Sequence, residues 1–116
     1  MRLFWLVTLA LSLGLSAYAA TTTQEVEIPR TALKDVYKYY VLEETKKNTT
    51  FIVTYKRLSS NTILYGKAEI NCPSKVIRSL GQNVNSAKSI DVSNPTAWQK
   101  PTLGTIEFDM VTYVCR

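Results

Sequence analysis

The stretch GKAEINCPSKVIRSLG, residues 66–81, contains Cys72, the first of the chain's only two cysteines. It continues the run TILYGKAEINC, residues 62–72, in which alternate residues are small or apolar and share one face: Leu64, Gly66, Ala68, Ile70 and Cys72. Alternation of this kind is typical of a strand with one buried side, so we expect Cys72 to point into the core. Pro73 cannot donate to a sheet ladder and therefore ends the strand.

Three other segments have the composition of strands. FIVTYKRL, residues 51–58, alternates strictly and is joined to the next run by the polar turn 59–61, which predicts a hairpin. VYKYYVL, residues 36–42, is aromatic and β-branched, and VIRSLG, residues 76–81, is a shorter candidate. We predict that EETKKNTT, residues 43–50, is a charged turn.

Residues 82–101 are rich in Asn, Ser, Lys and Pro, which predicts a long loop with a strand fragment at KSIDV, residues 88–92. Trp98 lies between Pro95 and Pro101 in this loop. A large indole in a polar loop usually packs against the edge of a core, so we expect Trp98 to tether the loop to the sheet.

The segment PTLGTIEFDMVTYVCR, residues 101–116, fits two patterns. Apolar and acidic residues alternate between residues 106 and 110, which favours a strand. One stripe of a helix would instead carry the apolar residues Leu103, Ile106, Met110 and Tyr113. In a helix Thr105 would be the N-cap, and Glu107 and Asp109 would lie near the positive end of the helix dipole.

The N-terminal sequence MRLFWLVTLALSLGLSAYAA predicts a signal peptide. Arg2 precedes an apolar run over residues 3–15, which is too short for a comfortable permanent membrane span. Residues 17–19 read AYA and match the small-residue cleavage pattern, so we predict a signal peptide of residues 1–19. Cleavage one residue later and retention as a membrane anchor are the weaker alternatives.

Cleavage divides the rest into an N-terminal polar segment, residues 20–35, and a domain of residues 36–116. No cysteine follows the cleavage site, so we expect no lipid anchor, and the chain would be exported to the periplasm, the outer surface or the medium. Two cysteines in an exported chain with a small core predict one disulfide, Cys72–Cys115. A bond closing a loop of this length stabilises the fold by about 4 kcal/mol in the chain-entropy model.

The composition excludes several kinds of chemistry. The absence of histidine removes Ser-His-Asp and Cys-His catalysis and imidazole metal sites, and the four isolated glycines form no phosphate-binding loop. The net charge of +5 is carried by scattered Lys and Arg, which indicates a solvated surface rather than a nucleic-acid-binding face. We therefore predict a protein that is not an enzyme, uses no cofactor or metal and binds no nucleic acid. A small hydrolase with paired carboxylates is the weakest alternative.

Tyrosines on the predicted strands are the best candidates for a binding surface, because they are large, stiff and able to hydrogen-bond. The candidate binding face comprises Tyr37, Tyr39, Tyr40, Tyr55, Arg57 and Tyr65. Ordinary sheet packing, with neighbouring lysines guarding the exposed edges, is the competing and preferred interpretation.

Several short motifs resemble the surface-adhesin protein E-like family of small bacterial envelope proteins. The motifs are YGKAEINC at residues 65–72, VIRSLG at 76–81, a Trp beside prolines at 98, PTLGT at 101–105 and YVC at 113–115. In that family a strand cysteine is bonded to a cysteine in a C-terminal helix. The resemblance implies an α+β fold in which an antiparallel sheet of four to six strands carries one C-terminal helix, with Cys72 in a strand and Cys115 in the helix.

The same resemblance matches Arg78 and Trp98 to the family's basic-strand and Trp-Pro elements, and Gly104-Thr105 to the start of its helix. It implies binding of host extracellular-matrix or serum proteins. The expected function is therefore that of an exported envelope or surface binding protein, with adhesion as its most specific form. A periplasmic inhibitor or accessory subunit that docks onto an acidic envelope protein is the alternative. This chain has no lipobox cysteine, so the lipid anchor of the namesake adhesin is not carried over.

Overall fold

The computed structural model describes residues 25–32 and 37–116, and the predicted signal peptide lies outside them. The described residues form one antiparallel sheet, in the order β1-β2-β3-β4-β5, and a C-terminal helix. The elements are β1 (Val26–Glu27), β2 (Lys38–Lys47), β3 (Thr50–Leu58), β4 (Ile63–Asn71), β5 (Val76–Asn83), a 3-10 turn (Ala87–Ser89) and α1 (Ile106–Val114). The predicted α+β fold, with a helix rather than a strand at the C-terminus, is confirmed.

The core lies between α1 and one face of the sheet. The inward face predicted for β4 is confirmed, since Ala68 and Ile70 are buried and belong to one core with Met110 and Val114 of the helix. The register places Tyr55 directly opposite Gly66, and a Cβ at Gly66 would lie 2.3 Å from the Tyr55 ring, so only glycine fits there without movement. The buried apolar residues are Ile28, Tyr39, Val41, Val53, Tyr55, Ala68, Ile70, Ile77, Met110, Val111 and Val114.

The predicted charged turn over residues 43–50 is wrong. Strand β2 runs on to Lys47, residues 43–47 all pair with β3, and only Asn48 and Thr49 form the turn. Cross-strand hydrogen bonds to β3 thus override the weak strand propensity of these charged residues. Asn48 has a φ of 57°, a left-handed conformation that asparagine tolerates better than most side chains.

The predicted strand fragment at residues 88–92 is also wrong, because the chain there forms the 3-10 turn and then an extended segment without strand pairing. This segment packs closely on β5, since a Cβ at Gly81 would lie 2.2 Å from the carbonyl oxygen of Asp91. The edge of β5 pairs with Gln99 instead. Gln99 and Ile77 exchange two backbone hydrogen bonds of 2.9 and 3.0 Å.

Helix α1 begins where the sequence predicts. The hydroxyl oxygen of Thr105 accepts a hydrogen bond from the backbone N–H of Phe108 at 3.2 Å, which is an N-cap. The helix buries Asp109, Met110, Val111 and Val114.

The predicted disulfide between Cys72 and Cys115 is confirmed, with Cα atoms 5.5 Å apart and no free cysteine left in the chain. Cys72 directly follows β4, and Cys115 directly follows α1. The bond therefore ties the ends of two elements that are 43 positions apart in the sequence.

We predict that the double substitution Cys72→Ser and Cys115→Ser lowers the free energy of unfolding by up to about 4 kcal/mol, because the bond restricts the unfolded chain. Urea unfolding of the oxidised, the reduced and the doubly substituted chain measures the effect. The oxidised chain should carry no titratable thiol, and the other two should share the lower stability. Equal stability of all three would contradict the prediction.

The N-terminal polar segment, where it is described, connects the edge of the sheet to the helix. Ile28 is 1% exposed and packs in the core. Two residues later Arg30 Nε donates a hydrogen bond of 2.7 Å to Asp109 Oδ2. Thr31 donates from its hydroxyl to Asp109 Oδ1 at 2.8 Å and from its backbone N–H to Oδ2 at 3.2 Å.

Asp109 is thus more than a helix-start charge. Its side chain is completely buried, and that of its partner Arg30 is 9% exposed. Burial by itself raises the pKa of Asp109, but the hydrogen bonds from Arg30 and Thr31 outweigh burial and hold the pKa below its ordinary value. The carboxylate therefore remains ionised in the core and fixes the N-terminal segment to α1.

Because the pKa of Asp109 is lowered in the folded protein, the free energy of unfolding depends on pH in the acidic range. The contribution of Asp109 is present above the ordinary value of 3.8 and is lost as pH falls through the lower folded value. We predict that Asp109→Asn lowers the free energy of unfolding at neutral pH by about 3 kcal/mol, because it removes the buried negative charge that accepts hydrogen bonds from Arg30 and Thr31. The variant should also lose less stability than the wild type below about pH 4.

Urea unfolding at a series of pH values measures both effects, and Glu27→Gln is the matched control because Glu27 is an exposed carboxylate in β1. The control should follow the wild-type curve throughout. An Asp109→Asn curve that keeps the whole acid-dependent loss would show that this carboxylate does not cause it.

Candidate functional site

The sequence-predicted binding face is divided between the two sides of the sheet. Tyr39 and Tyr55 are each 8% exposed and belong to the core beneath α1. Tyr37 packs at the margin of the same core, and the guanidinium of Arg57 lies 4.3 Å from its ring centre. These four residues therefore hold the helix side of the sheet together, and two of them are closed to a partner.

The other two tyrosines lie on the opposite side of the sheet. Tyr40 and Tyr65 are both cross-strand partners of Lys56, so the lysine lies between them. Its ammonium group is 5.4 Å from the Tyr40 ring centre and forms a 3.0 Å ion pair with Glu25. The charge at this place is thus compensated, which gives a charged ligand little to attract it.

A cavity that no sequence motif indicated lies beside the disulfide. It has a volume of about 590 Å³, within the range of small-ligand sites. Its lining residues are Lys75, Lys100, Pro101, Phe108, Val111, Thr112, Cys115 and Arg116. We call this cavity the basic groove, because three of its eight lining residues are cationic. Four others, Pro101, Phe108, Val111 and Cys115, are apolar.

The three cations reach the basic groove from three separate segments. Lys75 lies in the β4–β5 turn with a φ of 58°, and its N–H donates to the carbonyl of Cys72 at 3.3 Å. Lys100 follows Gln99, whose pairing with β5 fixes this wall of the groove. Arg116 follows the helix and the disulfide.

The charges around the basic groove are poorly compensated. Within the part of the chain that the structure describes, Arg116 is the only one of the three cations with an acidic neighbour, Glu44, at 3.9 Å. The same guanidinium lies 4.1 Å from the ring centre of Tyr113 and donates to its backbone carbonyl. Across residues 25–32 and 37–116, Lys75 and Lys100 have no ion-pair partner, and none of the eight lining residues is acidic. The groove is therefore a positive site with an apolar floor.

A stack of side chains on the far side of the sheet supports the groove wall. Arg78 donates two hydrogen bonds, of 3.0 and 2.8 Å, to Glu69 Oε1, and Thr50 donates one of 2.9 Å to Oε2. The indole of Trp98 lies over the Arg78 guanidinium at 4.6 Å, immediately before the wall residues 99–101. Trp98 is 39% exposed. It therefore tethers the loop as expected, but to a strand arginine rather than to the core.

Glu69 keeps this stack charged and ordered. Burial alone would raise its pKa, but the hydrogen bonds from Arg78 and Thr50 outweigh burial, so the pKa lies below the ordinary value. The carboxylate is ionised at neutral pH and holds Arg78 flat beneath Trp98. The positive charge of Arg78 is thereby used within the fold, unlike the charges of Lys75 and Lys100.

Sequence reasoning missed the basic groove, although one signal was available. Lys75 is three residues after Cys72, and Arg116 is one residue after Cys115. The predicted disulfide already requires these two cations to lie close together. The contribution of Lys100 had no such signal, because it depends on the pairing of Gln99 with β5.

A scan against protein-family models finds no match for this chain, and no curated protein or solved structure matches it. The resemblance to the surface-adhesin protein E-like family therefore stays a prediction. In the described part of the chain, no helix is long and apolar enough to cross a membrane. The same residues contain no group of three or more Cys, Asp or Glu side chains placed to hold a metal ion.

We predict that Arg78→Lys moves the fluorescence emission of Trp98 to longer wavelength while the far-ultraviolet circular dichroism stays unchanged. Lysine keeps a positive charge beside Glu69 but cannot stack flat on the indole, so the ring meets more water. Trp98 is the only tryptophan in residues 20–116, so the signal has one source. Arg57→Lys is the matched control, because Arg57 stacks on Tyr37 instead. Identical spectra for the two variants would count against the stack.

Proposed function

We propose that this chain is an exported bacterial envelope or surface protein that binds another protein through the basic groove and catalyses no reaction. The observation that carries the proposal is the groove itself, which has an apolar floor, three cations among its lining residues and a disulfide at its margin. Sites of this kind gain affinity from the buried apolar area and specificity and rate from the charged rim. The disulfide supports export, because such bonds persist in oxidising compartments.

The positions of the acidic residues give little support to a carboxylate hydrolase. Asp109 is buried against Arg30, and Glu69 is held by Arg78. Hydrogen bonds keep both carboxyl groups ionised, whereas a general acid at neutral pH needs a raised pKa. Binding is therefore the better proposal.

Two kinds of partner fit an exported binding protein. A host matrix or serum protein is the partner that the resemblance implies, and adhesion would be the result. The positive groove separately favours the second candidate, a periplasmic inhibitor or accessory subunit that docks onto an acidic envelope protein. The charges of such a partner would complement those of the groove. The location of the chain distinguishes the two candidates.

Site-specific photocrosslinking in intact cells tests the proposal. A photoreactive benzoylphenylalanine at Thr112, which is exposed and lines the groove, should form a discrete adduct with one protein on irradiation. The same group at Ser60, exposed in the β3–β4 turn at the other end of the sheet, is the matched control and should form none.

The same cells give the location. An adduct lost on external protease treatment indicates a surface partner, and an adduct released only by osmotic shock indicates a periplasmic one. No adduct from Thr112, or the same adducts from both positions, would contradict binding through the groove.

A further inference from the structure

We infer that the basic groove binds an acidic peptide segment carrying one bulky apolar side chain, presented by a partner protein. The inference rests on the proposed function and adds the chemistry of the ligand. Charge complementarity is its first support. Lys75, Lys100 and Arg116 line a cavity without an acidic lining residue, and within residues 25–32 and 37–116 Lys75 and Lys100 have no ion-pair partner. An acidic segment would supply the negative charge that these two lysines lack.

The floor of the groove supplies the apolar part of the recognition. Phe108, Val111 and the Cys115 end of the disulfide form it, together with Pro101. Val111 is buried, while Phe108 is only half-buried and presents part of its ring to the cavity. An aromatic or large aliphatic side chain placed against Phe108 would remove apolar surface of both partners from water.

The arrangement of the cations favours an extended ligand over a compact anion. The three cationic side chains come from the β4–β5 turn, the loop before α1 and the residue after the disulfide, so they line the cavity from three separate segments of the chain. The C-terminal end of α1 also lies here, and it is the negative end of the helix dipole. A phosphate seated between the cations would meet that end, whereas carboxylates spaced along a peptide can reach each cation at the rim.

A lipid carboxylate or headgroup fits less well. Lys75, Lys100, Thr112 and Arg116 are all exposed, so the groove is open to water along its rim. A long acyl chain would keep much of its length in water in such a groove. A single apolar side chain of a peptide is short enough to be covered by the residues of the floor alone.

Fluorescence anisotropy with three labelled pentapeptides tests the inference on oxidised residues 20–116. The probes are EEFEE, QQFQQ, which removes the charge, and EEAEE, which removes the apolar side chain. EEFEE should bind most tightly, and its affinity should fall as salt is raised. The other two probes should each bind at least about tenfold more weakly, since each loses one half of the recognition.

Variants of the protein locate the binding site. Neutralising the rim with Lys75→Gln, Lys100→Gln and Arg116→Gln should weaken EEFEE about tenfold, because three exposed ion pairs are removed. The control neutralises Lys38, Lys67 and Lys88 instead, which changes the net charge equally outside the groove. Thr112→Glu places an acid at the groove without touching the core and should also weaken binding, whereas Ser60→Glu should not.

Each outcome decides the inference. The inference is supported if tight binding requires both the glutamates and the phenylalanine of EEFEE, and if the groove variants weaken this binding while the control variants do not. Equal affinity for EEFEE and QQFQQ, or equal loss in groove and control variants, overturns it. Groove-dependent binding of phosphatidylglycerol vesicles or of inorganic phosphate, with no peptide binding, overturns it in favour of a lipid or a free anion. If Thr112 still forms its specific adduct while all peptides fail, the proposed function stands and only the ligand chemistry is wrong.

Discussion

The disulfide between Cys72 and Cys115 is the constraint on which the rest of the structure depends. Helix α1 has nine residues, and a helix of that length has little stability in water without tertiary contacts. It is held by the burial of its apolar stripe and by a covalent bond at its C-terminal end. The same bond places the β4–β5 turn beside the end of the helix. The basic groove exists because these two segments meet there.

The helix is fixed at both ends by different chemistry. In its first turns Asp109 is bound by Arg30 and Thr31, and these hydrogen bonds depend on an ionised carboxylate. The disulfide at the other end does not depend on pH. The acid-sensitive contact therefore controls how the N-terminal segment attaches, whereas the redox-sensitive contact controls the groove. Two different changes in the surroundings of the protein would thus act on two different parts of the fold.

The sequence was most informative in segments where apolar residues alternate with polar ones and so lie on one face of a strand. The alternation in residues 51–58 and 62–72 predicted both strands, and in residues 62–72 it also predicted the buried face, because the period of two is fixed by the backbone. It failed over residues 43–47, where charged residues form a strand only because β3 offers them partners. The pairing of Arg30 with Asp109 joins residues 79 positions apart, so no local pattern could indicate it.

The charge pattern shows why composition missed the groove. Counted along the chain, the lysines and arginines are scattered, and a solvated surface is the natural interpretation. The fold then uses some of these charges internally: Arg30 with Asp109, Arg78 with Glu69 and Lys56 with Glu25. Lys75 and Lys100 are left over from this pairing, whereas Arg116 has Glu44 at 3.9 Å. The β4–β5 turn, the loop before α1 and the residue after the disulfide bring the three cations to one apolar floor. A binding site can therefore arise from charges that are not neutralised by ion pairs within the fold. Such charges can be identified only when the ion pairs of the folded chain are known.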